Sequence, residues 1–109
     1  MIVRLALALL CSTFATSAWA QDAKVAHGQK VYAEQKCAMC HSIGTTGNKK
    51  GPLDGVGTKL ATDDIRAWIV DAKGMTAKTK AARKPEMKAY TLGKDDVDGL
   101  VAYLLTLKK

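Results

Sequence analysis

Two thiols and an imidazole stand together at Cys37-Ala38-Met39-Cys40-His41. The cysteines are three positions apart, so each sulfur can bond one vinyl group of the same porphyrin. The histidine directly after the second thiol is then held where a ring nitrogen can bind the iron. This C-x-x-C-H spacing specifies tether and ligand at once, and it reads as a covalent haem-attachment site. A sixth ligand must come from elsewhere in the chain or be absent. The candidates are Met39, Met75, Met87 and His27. Met39 lies inside the attachment loop and cannot reach the opposite face, and His27 reads as a surface histidine on the tether's side. Met75 and Met87 share one long segment that can swing over the distal face, although a single methionine also serves as a core gap-filler. Pro85 stiffens the approach to Met87, and Tyr90 offers a large group to pack beside it. A thioether opposite histidine stabilises ferrous iron and raises the potential.

Elements must position these groups, and the chain has 109 residues to do it, enough for one domain. Its start reads Met1-Ile2-Val3-Arg4, then an apolar run from Leu5 to Leu10, then small residues ending Ala18-Trp19-Ala20. A basic start, a short apolar core and an A-x-A site describe a secretory signal peptide. Residues 1–20 are therefore expected to be cleaved, leaving residues 21–109 as a single domain. An uncleaved anchor is disfavoured because the apolar run is short. A lipoprotein signal through Cys11 is disfavoured because Leu10, not a small residue, precedes it. Cleavage removes Cys11 and Arg4, takes the formal charge from +7 to +6, and leaves both remaining cysteines in the attachment motif. In an oxidising compartment such as the periplasm a disulfide that close would staple almost nothing, so haem attachment is the better use of the pair. A domain this small with few aromatics has a marginal core, and a buried porphyrin would supply the missing apolar area.

The first element is expected to be a helix over residues 24–35, with Val25, Gly28, Val31 and Tyr32 on one face. Residues 42–60 hold five glycines and sustain no period, so they read as an irregular loop with Gly51-Pro52-Leu53 as a rigid turn. A loop that long needs a purpose, and wrapping one edge of a cofactor is one. A carbonyl in the Gly51-Pro52 turn is the expected acceptor for the free ring nitrogen of His41. A second helix is expected over residues 63–73, capped by Thr62, with Ile65, Trp68, Ile69 and Ala72 in a stripe. Residues 74–91 have no clean period, and residues 73–88 hold six basic side chains against Glu86 alone. The final helix is expected over residues 94–107, with Val97, Leu100, Val101, Leu104 and Leu105 at helical spacing. Asp95 and Asp96 favour its start, and Lys108 and Lys109 its end. No segment alternates like a strand.

Over nearly all of residues 21–109 the chain resembles the class I c-type cytochromes, the small exported electron carriers. The resemblance rests on Gly28 and Tyr32 before the Cys37–His41 motif, on Gly51-Pro52-Leu53, and on Asp64-Ile65-Arg66-Ala67-Trp68-Ile69 as a central helix. It rests further on Lys84-Pro85-Glu86-Met87-Lys88-Ala89-Tyr90, and on a final helix running through Val101-Ala102-Tyr103-Leu104. It implies an all-α cytochrome c fold, with about three main helices and long loops wrapped around one haem c bound through Cys37 and Cys40. It implies that Gly28 and Tyr103 meet at a helix crossing, that Pro52 and Trp68 belong to the cofactor site, with the Pro52 carbonyl holding His41, and that His41 and Met87 are the iron's axial ligands. Gly93 stands where the family often has a serine or threonine cap, and Lys88 replaces a proline that commonly follows the methionine.

With both axial positions filled, the iron can cycle between ferric and ferrous with little rearrangement, which favours electron transfer through an exposed haem edge over catalysis. Lysines beside that edge, Lys36 and those in residues 73–88, are expected to steer acidic-faced redox proteins or an oxidoreductase complex. The carrier is expected to be periplasmic and monomeric when free, with no stable membrane insertion. The competing classes are a haem subunit of an oxidoreductase complex, and a haem enzyme or sensor with a labile distal ligand. A zinc site is disfavoured because it needs four ligands and the adjacent Cys40 and His41 fit one tetrahedral ion badly. A thioredoxin-like thiol pair lacks its strands, and export argues against nucleic acid as a partner of the basic charge.

Overall fold

The computed structural model describes residues 15–109. The expected signal segment falls mainly in residues 1–14, outside the described residues. Among the described residues the order is α1 (Ala15–Glu34), a 3-10 turn (Cys37–Met39), β1 (Ser42–Ile43), β2 (Thr46–Gly47), α2 (Val56–Lys59), α3 (Thr62–Val70), α4 (Ala72–Thr79) and α5 (Lys94–Leu105). The fold is mostly helical, as the all-α expectation requires.

Helix α1 begins nine residues before the expected start and runs through Ala20 without a break. Its alanines are strong helix formers, and they propagate the helix beyond the stripe that packs. Trp19 is 78% exposed on this outer stretch, whereas Val31 is 1% exposed in the core.

The frame is the crossing of α1 and α5. Gly28 and Gly99 are both buried there. A Cβ on Gly28 would lie 2.5 Å from the Gly99 carbonyl carbon and 2.7 Å from Tyr103 Cβ. Two glycines thus let backbone touch backbone, and Tyr103 continues the contact by meeting Tyr32 edge to face, with ring centroids 5.7 Å apart at 81°. The expected meeting of Gly28 and Tyr103 is present. The contact cannot be relieved by turning a side chain. Gly28→Ala should therefore destabilise the holo-protein by about 2 kcal/mol, the overpacking cost outweighing the helix-propensity gain of about 1 kcal/mol. A lower guanidinium midpoint at unchanged slope would show it. His27, read as a surface histidine, stands half-exposed beside this crossing and bonds Asp96 of α5 through Nε2 at 2.7 Å.

Helix α3 lays Ile65 and Ile69 onto Val97, Leu100, Val101 and Leu104 of α5, with Val31 of α1 completing the cluster. Arg66 of α3 reaches Asp98 of α5 at 2.6 Å, and Lys94 reaches the same carboxylate at 2.7 Å. The Lys94 ammonium and the Arg66 guanidinium hold the Asp98 carboxyl down at about 2. A carboxyl depressed in the folded state adds stability that is present above its unfolded value near ~3.9 and lost as pH falls through the folded value. The stability difference between wild type and Asp98→Asn should therefore be constant above about pH 5 and vanish on acidification through about pH 2. Denaturant melts at several pH values would check this.

Several expectations are corrected. The second helix does not reach residue 73: α3 ends at Val70, because Asp71 leaves the helical region at φ −142°, ψ 53° and its side chain accepts from Gly74 N at 3.2 Å, capping α4. The residue before α3 is Ala61, without a side-chain cap, and Thr62 is already helical. Residues 74–79, read as loop, belong to α4, which buries Ala72 and Met75. The stretch after His41 also pairs as a two-residue antiparallel hairpin, Ser42 with Gly47 and Ile43 with Thr46. Strands of two residues carry no alternation to detect. The last helix ends at Leu105, two residues early, and Gly93 precedes α5 without a side-chain cap, as expected.

Candidate functional site

Helix α1 stops because Lys36 adopts the left-handed conformation at φ 57°. The chain then coils into the 3-10 turn, with His41 N bonding Cys37 O at 2.9 Å. Cys37 is half-buried and Cys40 exposed, and they are not bonded to each other. Asn48, just past the hairpin, ties this turn down. Its backbone N–H meets the carbonyls of Ala38 and His41 at 3.0 Å each, and its side chain donates to Met39 O at 3.1 Å.

His41 Nδ1 lies 3.0 Å from the carbonyl of Gly51. A carbonyl only accepts, so Nδ1 carries the proton and Nε2 keeps its lone pair for another bond. Burial lowers the His41 pKa against the opposing pull of that hydrogen bond, and the Arg83 guanidinium lowers it further. The ring is thus held neutral with one nitrogen free, the state in which imidazole ligates a metal. The acceptor is Gly51 and not Pro52. Proline confines the preceding residue to extended backbone, and here that aims the Gly51 carbonyl at both His41 Nδ1 and Ser42 N, the latter at 3.1 Å.

Behind Cys37, Cys40 and His41 lies a cavity of about 550 Å³. Leu53, Val56, Leu60, Ile65, Ile69, Leu100 and Leu104 make its apolar wall, Tyr32, Trp68 and Tyr90 add rings, and Met87 reaches it from the segment between α4 and α5. The size falls within the range of small-molecule sites, and apolar walls with a few convergent polar groups are their usual construction. Burial pushes the Tyr32 hydroxyl up to about 12 and raises the Tyr90 and Cys37 groups too. The donor set converging on this apolar space (two thiols, an imidazole with a free lone pair, one thioether) fits a tethered iron porphyrin.

Of the residues selected from sequence, Cys37, Cys40, His41, Trp68 and Met87 line one cavity, while Pro52 does not line it and is exposed. Met75 is 7% exposed within α4 and is not part of the lining. Sequence reasoning passed over Gly99, Asn48 and Arg83. Gly99 had a signal, a glycine inside a regular helical stripe. Asn48 and Arg83 had none, since they act across loops.

Over 90 aligned residues the chain is 29% identical to cytochrome c oxidase subunit 2 of Alkalihalophilus pseudofirmus, an alignment covering 74% of this chain and 25% of that protein. The chain thus corresponds to a quarter of that relative's length. No solved structure matches it significantly. The family described as Cytochrome c matches residues 25–108, a span that takes in every wall of the cavity, and the chain belongs to the cytochrome c family.

Proposed function

We propose that residues 21–109 form a periplasmic monohaem carrier, exported by a signal peptide in residues 1–20, that passes single electrons between redox partners. Membership of the cytochrome c family supports haem-based electron transfer and a covalently bound haem c. The observation that carries the finer reading is the convergence of Cys37, Cys40, His41 and Met87 on one apolar cavity. Cys37 and Cys40 would hold the haem by thioethers, His41 would bind through Nε2, and Met87 would supply the opposite ligand. When bound, the haem supplies a one-electron ferric–ferrous couple.

The chain's own residues do the rest. Gly51 fixes the His41 ring through its carbonyl and so holds Nε2 in one direction. The aliphatic wall excludes water, which limits the rearrangement that accompanies a change of charge. Two axial side chains leave no open position for a substrate, so the reading is a carrier and not an enzyme. Lys36, Arg83 and Lys88 stand where the cavity meets the surface, and Lys73, Lys78, Lys80 and Lys84 are exposed on the same segment of chain. Their charge suits an acidic-faced redox protein, and salt should slow the encounter.

A second reading has one observation behind it: the oxidase-subunit relative is four times as long as the matching stretch. The domain would then serve as a haem module within an oxidoreductase complex. A redox titration and partner kinetics test the carrier. The expected titration follows a single one-electron curve, and the expected transfer rate falls as ionic strength rises. A multi-step titration would exclude the monohaem assignment, and co-purification in a stable complex would favour the second reading.

A further inference from the structure

The segment between α4 and α5 carries Met87 without regular structure. Its backbone is tied at two places, Ala81 N to Thr76 O at 3.1 Å and Tyr90 N to Ile69 O at 2.9 Å. Among the described residues no backbone–backbone hydrogen bond holds residues 82–89. The Lys84–Glu86 pair at 2.7 Å lies within the segment and anchors it to nothing. A long-range contact interrupts this span. The tip of the Arg83 guanidinium sits against the buried Gly51: a Cβ built there would stand 2.9 Å from Arg83 Cζ and nearer still to Nη1. The same Cβ would also meet the Cys40 carbonyl oxygen, so glycine is required there by the attachment turn as well as by Arg83. Among the described residues Arg83 has no carboxylate within ion-pair distance. Gly51 is also the residue whose carbonyl holds His41.

We propose that Arg83 is a positioning residue, a clasp that fastens the Met87 segment to the turn holding His41 and so sets how often the methionine side of the cavity opens. The clasp rests on the reading of His41 and Met87 as axial ligands. Its physical basis is division of the span. With Arg83 seated, Met87 lies between two anchors, four residues after one and three before Tyr90. Without it, the whole stretch from Ala81 to Tyr90 fluctuates as one loop, and local opening costs less than global unfolding. A guanidinium is a rigid, weakly hydrated fork, whereas a lysine ammonium is a strongly hydrated point charge on a flexible stem.

The test compares wild-type holo-protein with Arg83→Ala and Arg83→Lys. Two readouts are taken: imidazole binding to the ferric form, and amide exchange across residues 82–89. The clasp predicts that Arg83→Ala binds imidazole about tenfold more tightly, an opening made easier by roughly one decade, and exchanges faster in residues 82–89. The denaturant midpoint should change little. Arg83→Lys should behave like Arg83→Ala. Unchanged exchange in Arg83→Ala would overturn the proposal. So would wild-type behaviour of Arg83→Lys, which would make the effect one of charge alone. If the wild type lacks the methionine-to-iron charge-transfer band while Arg83→Ala still accelerates exchange, the ligand assignment fails and the clasp stands.

Discussion

Depriving the chain of haem should abolish its cooperative fold. Cys37→Ala/Cys40→Ala protein, made without covalent attachment, is expected to lose its near-ultraviolet dichroism and to melt without a sharp transition. Ile65, Ile69, Leu100 and Leu104 belong at once to the core cluster and to the cavity wall. Among the described residues the buried apolar side chains gather in one such cluster. Without haem the apolar wall of this open 550 Å³ pocket is left against water, and each Å² so exposed costs about 25 cal/mol. A whole domain is stable by only about 5–15 kcal/mol. Collapse of the walls would reduce that cost, but only by abandoning the packing of α3 on α5. A cooperative transition of the haem-free protein close to that of the holo-protein would contradict this.

Replacing the two methionines of the distal segment should have opposite consequences. Met87→Ala is expected to remove the methionine-to-iron charge-transfer band and to let the ferrous protein bind carbon monoxide. Its reduction potential should fall by roughly 0.2 V, a part of the ≈ 0.8 V range that axial ligands command. Met75→Ala is expected to keep the band and the potential. It empties a core position that is 7% exposed, so it should cost about 2–5 kcal/mol of stability. The contrast follows from placement: Met87 lines the cavity, and Met75 is packed within α4. Paired spectra and denaturant melts would separate the two roles. A lost band in Met75→Ala with an intact one in Met87→Ala would exchange the assignments.

The sequence made some features legible because their signals are local. Residues 37–41 declare their chemistry by spacing. The stripe of Val97, Leu100, Val101 and Leu104 marks the helix that carries most of the core. Gly28 was conspicuous because glycine has no local reason to sit in a helix, and the reason lies across the crossing in Gly99 and Tyr103. Other features were hidden because their partners are distant in the chain. The break between α3 and α4 depends on Asp71 capping one helix as it ends another, while the apolar stripe runs on through Ala72. The carbonyl that orients His41 belongs to the residue before the proline, since proline acts on its predecessor's backbone. Asn48 and Arg83 brace the site through contacts between loops, which no periodicity encodes.

The central claim is that His41 and Met87 close both axial positions and leave the iron to exchange electrons only. Absorption spectra of the native holo-protein, ferric and ferrous, before and after carbon monoxide, test it directly. A six-coordinate low-spin spectrum, with a methionine-to-iron band when ferric and no change under carbon monoxide when ferrous, is the predicted result. A high-spin ferric spectrum, or a ferrous form that takes up carbon monoxide readily, would contradict it and make the chain a ligand-binding haem protein.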